Sequence, residues 1–355
     1  MSRLREQVRQ ALGEVIVPKL QRDLVSAGMV EQVETHDGQV KVLLNFKPAY
    51  ASKSELRDWV SQKVGVLAGV DQVTVEFVRS SPQQRSPAGP QGRPSKLKIE
   101  LEGVREVLTV FSAKGGVGKS TVSVNLAEAL ARQGARVGLF DADIQGPNIP
   151  NLLGLKDPPL YENNQIIPIA KYDLLIMSLG LIVSADEAMI WRGPMITKAI
   201  DELLGGVAWG QLDYLIIDLP PGTGDAQLGL AQDVRLTGSI AVTTPQELAL
   251  SDLRRGIKAF RELKIPIWGL VENMSYFVCP HCDRRSDIFG SEGGVTEAKR
   301  QGFPLLGQIP FDLALRQASD QGEPVVLQAP DSQAAQVFIQ IAQAVSEQSK
   351  SKGGS

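Results

Sequence analysis

The stretch VLTVFSAKGGVGKST, residues 107–121, decides the fold class. VLTVF is an apolar run of strand length, as expected of a strand buried on both faces. Residues 122–130 then place Val122, Leu126, Ala129 and Leu130 at helical spacing, with Gly134 positioned to end the helix. Between them lies a glycine loop. Gly115, Gly116 and Gly118 permit backbone angles and close approach that side chains would block, so the amides from Gly115 through Val117 to Thr121 can surround a phosphate at a helix N-terminus. Lys119 is expected to face the β- and γ-phosphates of ATP, and the Ser120 hydroxyl to ligate Mg²⁺. The competing reading is a glycine-rich surface turn.

Outward from this loop, the runs RVGLF (136–140), DLLIM (173–177), YLIID (214–218), SIAVT (239–243) and IWGLV (267–271) alternate with helical segments. Runs apolar on both faces need helices on both sides, and the connections are long enough for crossovers. The pattern predicts a doubly wound, mainly parallel α/β P-loop domain over residues 99–348. Ahead of it, Leu4, Val8, Leu12 and Val15 fall near helical spacing, and Val40–Phe46 and Val73–Val78 alternate like half-buried strands, giving a small α/β domain over 1–78. Residues 79–98, rich in Pro, Ser, Gln and Gly, read as a flexible linker, and 349–355 as a solvated, disordered tail.

Composition excludes some functions. Thirty-seven Lys and Arg against 40 Asp and Glu leave no basic field for nucleic acid or anionic lipid. The charged N-terminus argues against a secretory signal, and the most apolar stretch, Leu174 to Val183, is about half the ~20 residues of a spanning helix. A cytoplasmic protein with no nucleic-acid or membrane partner is the expectation. Its two cysteines, Cys279 and Cys282, are too few and too close for a disulfide framework, and read as metal ligands or a redox pair.

Acidic groups stand at the ends of two predicted strands, the edge where such sheets bind ligands. Asp218 is the expected Mg²⁺ carboxylate, acting through water, and Asp143 the group that orients the attacking water. Asp141 reads as structural and Asp225 as a helix cap. Gly222 and Gly224 in PPGTGD provide a loop able to change its backbone with the γ-phosphate. Asn273, just past IWGLV, is expected to pair with the adenine edge, the rival being a turn asparagine bonded to its own backbone.

The strict phosphate-loop pattern wants glycine at 113, where this chain has Ala113, and adds Lys114 beside the first glycines. KGGVGKS resembles the deviant Walker A loop of the nitrogenase iron protein, MinD and ParA. That resemblance implies that Lys114 reaches the nucleotide of a partner subunit in an ATP-closed homodimer, whereas a solvent-facing loop cation is the alternative. With AKGGVGKST, LFDADIQGPNIP, PPGTGDAQL, TTPQELALSD, VENMSYFVCPHC, IFGSEGG and GQIP in order, residues 105–345 resemble the Mrp/ApbC group of iron–sulfur cluster carrier ATPases. The resemblance implies ATP hydrolysis and transfer of a cluster from donors to apo iron–sulfur clients, and the hydrolysis is expected to be slow because no arginine finger can be assigned from the sequence. A [4Fe–4S] cluster needs four thiolates, so Cys279 and Cys282 of two chains are expected to share one. A Cys₄ zinc site and a thioredoxin-like pair remain the alternatives, as does a positioning ATPase of the MinD or ParA kind. Residues 1–78 are similar to the metal–sulfur assembly domain fused ahead of such ATPases. They have Val17, Pro18 and Lys19 where members carry an acidic turn, and no cysteine in KPAYASKSEL, so they read as a docking module.

Overall fold

The computed structural model describes residues 3–17, 22–25, 29–36, 38–45, 53–78, 98–144, 146–162, 165–182, 199–200, 203–222 and 225–353. Thr223 and Gly224 of PPGTGD, Pro18, Lys19 and the linker up to Ser95 and its two successors lie outside them. The chain divides into two compact units, Met1–Gly92 and Arg93–Ser355.

The first unit contains α1 (Arg3–Leu12), β1 (Val30–His36), β2 (Gln39–Asn45), α2 (Lys53–Val64) and β3 (Gln72–Val78). β1 pairs antiparallel with β2, and β2 parallel with β3. The helical repeat read from Leu4 onward places Val8 and Leu12 on the buried face of α1, against Leu56 and Val60 of α2 and Val33, Val42 and Val75 of the sheet. β1 was not among the expected strands: its VEQVETH has only two apolar positions, so its place rests on pairing with β2 rather than on a pattern of its own.

The second unit is built on β4 (Val104–Phe111), α3 (Lys119–Arg132), β5 (Val137–Asp141), β6 (Ile169–Lys171), β7 (Leu174–Ser178), β8 (Leu212–Asp218), α4 (Asp225–Asp233), β9 (Gly238–Thr243), α5 (Glu247–Glu262), β10 (Ile267–Glu272), β11 (Phe277–Val278), β12 (Arg285–Ser286), α6 (Gly293–Gln301), β13 (Leu305–Gln308), α7 (Leu313–Gln321) and α8 (Gln333–Gly353). Eight strands form one sheet in the order β6-β7-β5-β8-β4-β9-β10-β13. All neighbours are parallel except the edge pair β6 and β7. Because β4, β5, β8, β9 and β10 carry apolar residues on both faces, both must be covered. α3 and α8 cover one face through Val122, Leu126, Leu130, Phe338 and Ile341. α4 and α5 cover the other through Leu230, Leu253, Ile257 and Phe260. Phe111 of β4 stacks on Phe260 of α5 with ring centroids 4.1 Å apart, worth about 0.5–1.5 kcal/mol beyond its buried area. The doubly wound class read from the sequence is the fold observed.

The C-terminus differs from its expectation as a tail. α8 continues through Gly353, and Ser349 is buried, its hydroxyl donating to Glu106 Oε1 at 2.8 Å. EQSKSK looks solvated because it is polar, but one of its serines meets a carboxylate on the sheet and the helix stays wound to reach it.

Candidate functional site

β4 is the point where the sheet order reverses: the chain leaves it for β5 on one side, beyond β8, and later takes up β9 on the other. Ligands of such sheets bind at the C-terminal strand ends beside that point, and the glycine loop lies there. Gly116 and Gly118 have φ of +80° and +82°, and Gly118 is the N-cap of α3 with no side chain capping it. The helix thus begins with free amides aimed at whatever occupies the loop.

Three side chains converge on one buried carboxylate. Lys119 Nζ stands 2.6 Å from Asp218 Oδ2, the Ser120 hydroxyl donates to the same oxygen at 2.6 Å, and the Ser123 hydroxyl donates to Oδ1 at 2.6 Å. Asp218 is fully buried, and a charge there is tolerable only because it is paired and hydrogen-bonded. The loop cation, the hydroxyl and the acid assigned from sequence to one centre are therefore in direct contact.

A second carboxylate lies alongside. β5 and β8 are adjacent, and their register sets Asp141 opposite Asp218. Burial, and then the Asp218 charge, push the Asp141 carboxyl up to about 7 despite the nearby Lys119. Asp141 accepts from Ser178 Oγ at 3.1 Å, from the Asp143 amide at 3.1 Å and from the Ile149 amide at 3.3 Å. It holds the turn that presents Asp143, which is 7% exposed and accepts from the Gly146 amide at 3.1 Å. Sequence reasoning saw two acids at strand ends and could not see that they face each other.

An open cleft of about 840 Å³ reaches Lys119, Ser120 and Asp143 of this group. Lys114, Gly116, Lys119, Ser120 and Asp143 line one part, and Asn151, Lys156, Asp320 and Gly322 lie farther along its wall. Lys114 is exposed at the loop. Gly222 donates its amide to the Ser112 carbonyl at 3.0 Å, tying the glycine-rich segment after β8 to the start of the phosphate loop. Asn273, expected to pair with the adenine edge, lies behind the phosphate loop. It is buried, its side-chain amide donates to the Val117 carbonyl at 2.9 Å, and its neighbour Met274 is the residue on the cleft wall. Its observed work is to hold the loop from behind. A Cβ at 118 would come within 2.1 Å of Asn273 Nδ2, so the glycine makes this contact possible.

Cys279 and Cys282 sit on a separate feature, the hairpin of β11 and β12, in which Phe277 pairs with Ser286 and Val278 with Arg285. The Asp283 amide closes the turn on the Cys279 carbonyl at 2.9 Å, and Asp283 has φ of +54°. Residues 280–288 are all exposed, and Cys279 is half-buried. The His281 amide, then the thiol and amide of Cys282, hold the Cys279 thiol below its usual range, favouring the thiolate that binds metals. Arg285 stacks 4.1 Å over the Tyr276 ring and fixes the base of the hairpin. Among the described residues no three His, Cys, Asp or Glu side chains converge as a metal site within the chain.

No helix among the described residues is long and apolar enough to cross a membrane. The family described as the NUBPL iron-transfer P-loop NTPases matches residues 103–346, and an iron–sulfur cluster assembly domain matches residues 5–77. The chain is 43% identical over 331 residues to an iron–sulfur cluster carrier protein of Aquifex aeolicus, covering 89% of this chain and 90% of the relative. It is 46% identical over 259 residues to the iron–sulfur cluster transfer protein NUBPL of Dictyostelium discoideum, covering 72% and 80%. A nucleotide-binding protein from Archaeoglobus fulgidus, solved with ADP, superposes with a TM-score of 0.58 at 39% identity over 65% of this chain and 91% of that one. The cell division ATPase MinD of Pyrococcus furiosus, at 23% identity and a TM-score of 0.55, shares the fold. With the phosphate loop, the paired strand-end acids and these likenesses together, the chain belongs to the NUBPL iron-transfer P-loop NTPase family.

Proposed function

We propose that the protein is an ATP-hydrolysing carrier of iron–sulfur clusters, in which two copies share one [4Fe–4S] cargo through Cys279 and Cys282 and pass it to apo clients. The observation that carries this reading is the Cys279-Pro280-His281-Cys282 hairpin tip, carried by the same compact unit as the P-loop centre. It carries two free thiols, Cys279 half-buried and Cys282 exposed, half of the four that such a cluster takes, and they are the only cysteines in the chain. A two-fold dimer supplies the other half from the same patch. The names of the Aquifex and Dictyostelium relatives support the same cargo.

At the nucleotide centre, Lys119 exchanges its pairing with Asp218 for the β- and γ-phosphates, while the amides of residues 115–121 surround them. The donor set there fits Mg²⁺: a hydroxyl and a buried carboxylate, both hard oxygens, already share one hydrogen bond. Ser120 and Asp218 would hold the ion, Asp218 through water, and its chemistry is to neutralise charge developing on the phosphates. Asp143, presented by the Asp141 turn, orients the attacking water, and Lys114 reaches the nucleotide of the second copy. The deciding experiment is anaerobic reconstitution with iron, sulfide and zinc analysis alongside the oligomeric mass. About four irons per dimer, lost in both Cys279→Ala and Cys282→Ala, is the expected result; zinc alone, or iron unchanged in either variant, rejects the reading.

A further inference from the structure

The motif S-E-G-G at 291–294 and the acid at 272 have no part in the chemistry above, yet they meet in the core. Glu272, the last residue of β10, is fully buried. One of its oxygens, Oε1, accepts from the Ser275 hydroxyl at 2.6 Å and from Gln308 Nε2 at 2.8 Å; the other accepts from the Gly294 amide. Ser275 immediately precedes, and Gly294 closely follows, the stretch that bears the cysteine hairpin. One carboxylate therefore grips both ends of the segment presenting Cys279 and Cys282. A Cβ at 294 would come within 2.7 Å of the Glu272 carboxylate, so this grip requires glycine.

The other side of the same turn reaches the phosphate loop. Asn273, adjacent to Glu272, donates its side-chain amide to the Val117 carbonyl, and its own N–H is anchored on the Thr243 carbonyl at 2.8 Å. The Val117–Gly118 peptide is planar and trans, so its C=O and N–H point in opposite directions. Holding the carbonyl from behind turns the Gly118 N–H toward the front of the loop, where the cleft lies. Any change that phosphate imposes on that peptide plane pulls on Asn273. The turn from 272 to 276 is further laced to residues 309–311: the Ile309 amide donates to the Glu272 carbonyl at 2.8 Å, the Ser275 amide to the Ile309 carbonyl at 2.9 Å and the Phe311 amide to the Tyr276 carbonyl at 2.7 Å.

We propose that Glu272 is a positioning residue that couples occupancy of the phosphate loop, sensed through Asn273, to the geometry of the cysteine hairpin, through Ser275 and Gly294. The proposal rests on the carrier reading above, because it makes the hairpin the output of the nucleotide site. By linkage the effect is reciprocal: a ligand held between the cysteines alters nucleotide affinity by the same factor that nucleotide alters the affinity for that ligand.

The test uses the thiols themselves and needs no cluster. Alkylation rates of Cys279 and Cys282 are followed by mass spectrometry in the full-length apoprotein, with and without ATP and Mg²⁺, in parallel with ATP affinity by calorimetry. In the unmodified protein ATP is expected to change the rate by about fivefold or more, the lower end of ordinary coupling between sites. Glu272→Ala is expected to retain ATP affinity within about twofold while losing most of that response. Because removing a buried acid can unfold the domain, Ser275→Ala, which deletes one hydroxyl from the same grip, is expected to weaken the response with the fold intact. A merely structural role would shift the rate equally with and without ATP. Thiols indifferent to ATP in the unmodified protein, or a full response retained in Ser275→Ala and in folded Glu272→Ala, overturns the proposal. Failure of the carrier reading is seen separately, as reconstituted protein that holds no iron.

Discussion

At the residue scale, Lys114 and Lys119 stand five positions apart on one loop in opposite surroundings. Lys119 is 6% exposed and pressed against Asp218, whereas Lys114 is open to solvent at the mouth of the cleft. Lys119→Ala is expected to abolish ATP binding measured by calorimetry, since it removes the buried cation and leaves Asp218 unneutralised. Lys114→Ala should bind ATP but hydrolyse it about a hundredfold or more slowly, as when one charge-stabilising donor is deleted from an active site; hydrolysis at the unmodified rate would show that Lys114 is only a loop cation. The acids give a pH prediction. Burial and neighbouring negative charge raise Asp141 from 3.8 and Glu128 from 4.5, each to about 7. The native state therefore keeps protons that the unfolded chain has released between about pH 4 and 7, and stability falls as pH rises through that window. The melting temperature should drop from about pH 5 to 7.5, and both Asp141→Asn and Glu128→Gln should flatten the slope. A stability that rises across the window in the unmodified protein would refute this.

At the scale of elements, the last helix shows how a short polar stretch acquires a structural role. Ser349 and Glu106 are 5% and 9% exposed and bonded to each other across 243 residues of sequence. Ser349→Ala leaves a buried carboxylate without that donor, at a cost of about 1–3 kcal/mol, which should lower the melting temperature by several degrees. Truncation after residue 348 should cost at least as much, because it also removes the last turn of α8; an unchanged melting temperature in both would mean that the end of the helix contributes nothing. The cysteine hairpin is the contrasting case. Its two strands have two residues each, and its tip is exposed, so little of its geometry is fixed by its own packing. Its anchors are Arg285 on Tyr276 at the base and the Glu272 grip at the ends of the segment.

For the whole molecule, the strand order places the phosphate loop and the root of the cysteine hairpin along one edge of a single sheet. β4, β8 and β5 end at the phosphate loop and the two acids, and β10 ends at Glu272, from which the chain runs on through Asn273 to Cys279. In the dimer proposed above, that edge would meet its copy. Asp143→Ala is expected to keep the binding groups while losing the water-orienting acid, and so to accumulate an ATP-bound dimer of twice the 38.3 kDa chain mass in gel filtration with ATP and Mg²⁺. A variant that still turns ATP over normally would assign that role elsewhere, with Asp141 next.

The sequence by itself determined the phosphate loop, the doubly wound class and the paired thiols, because each is written in contiguous residues whose spacing carries its physical meaning. A strand, a glycine loop and a helix can be recognised within residues 107–134, and two cysteines three positions apart are neighbours in any fold. What only the tertiary structure decided is which distant residues share a dielectric environment. Asp141 and Asp218 are 77 positions apart and become opposed because β5 and β8 pair in register, and that opposition, with burial, is what raises one of them. The Asn273 amide holds the Val117 carbonyl, and Glu272, which no sequence motif singles out, grips Ser275, Gly294 and Gln308. In a parallel sheet the neighbours of a strand are not its neighbours in sequence, since each crossover helix carries the chain away before returning it. Buried polar contacts between such strands are settled only when the crossovers have been placed.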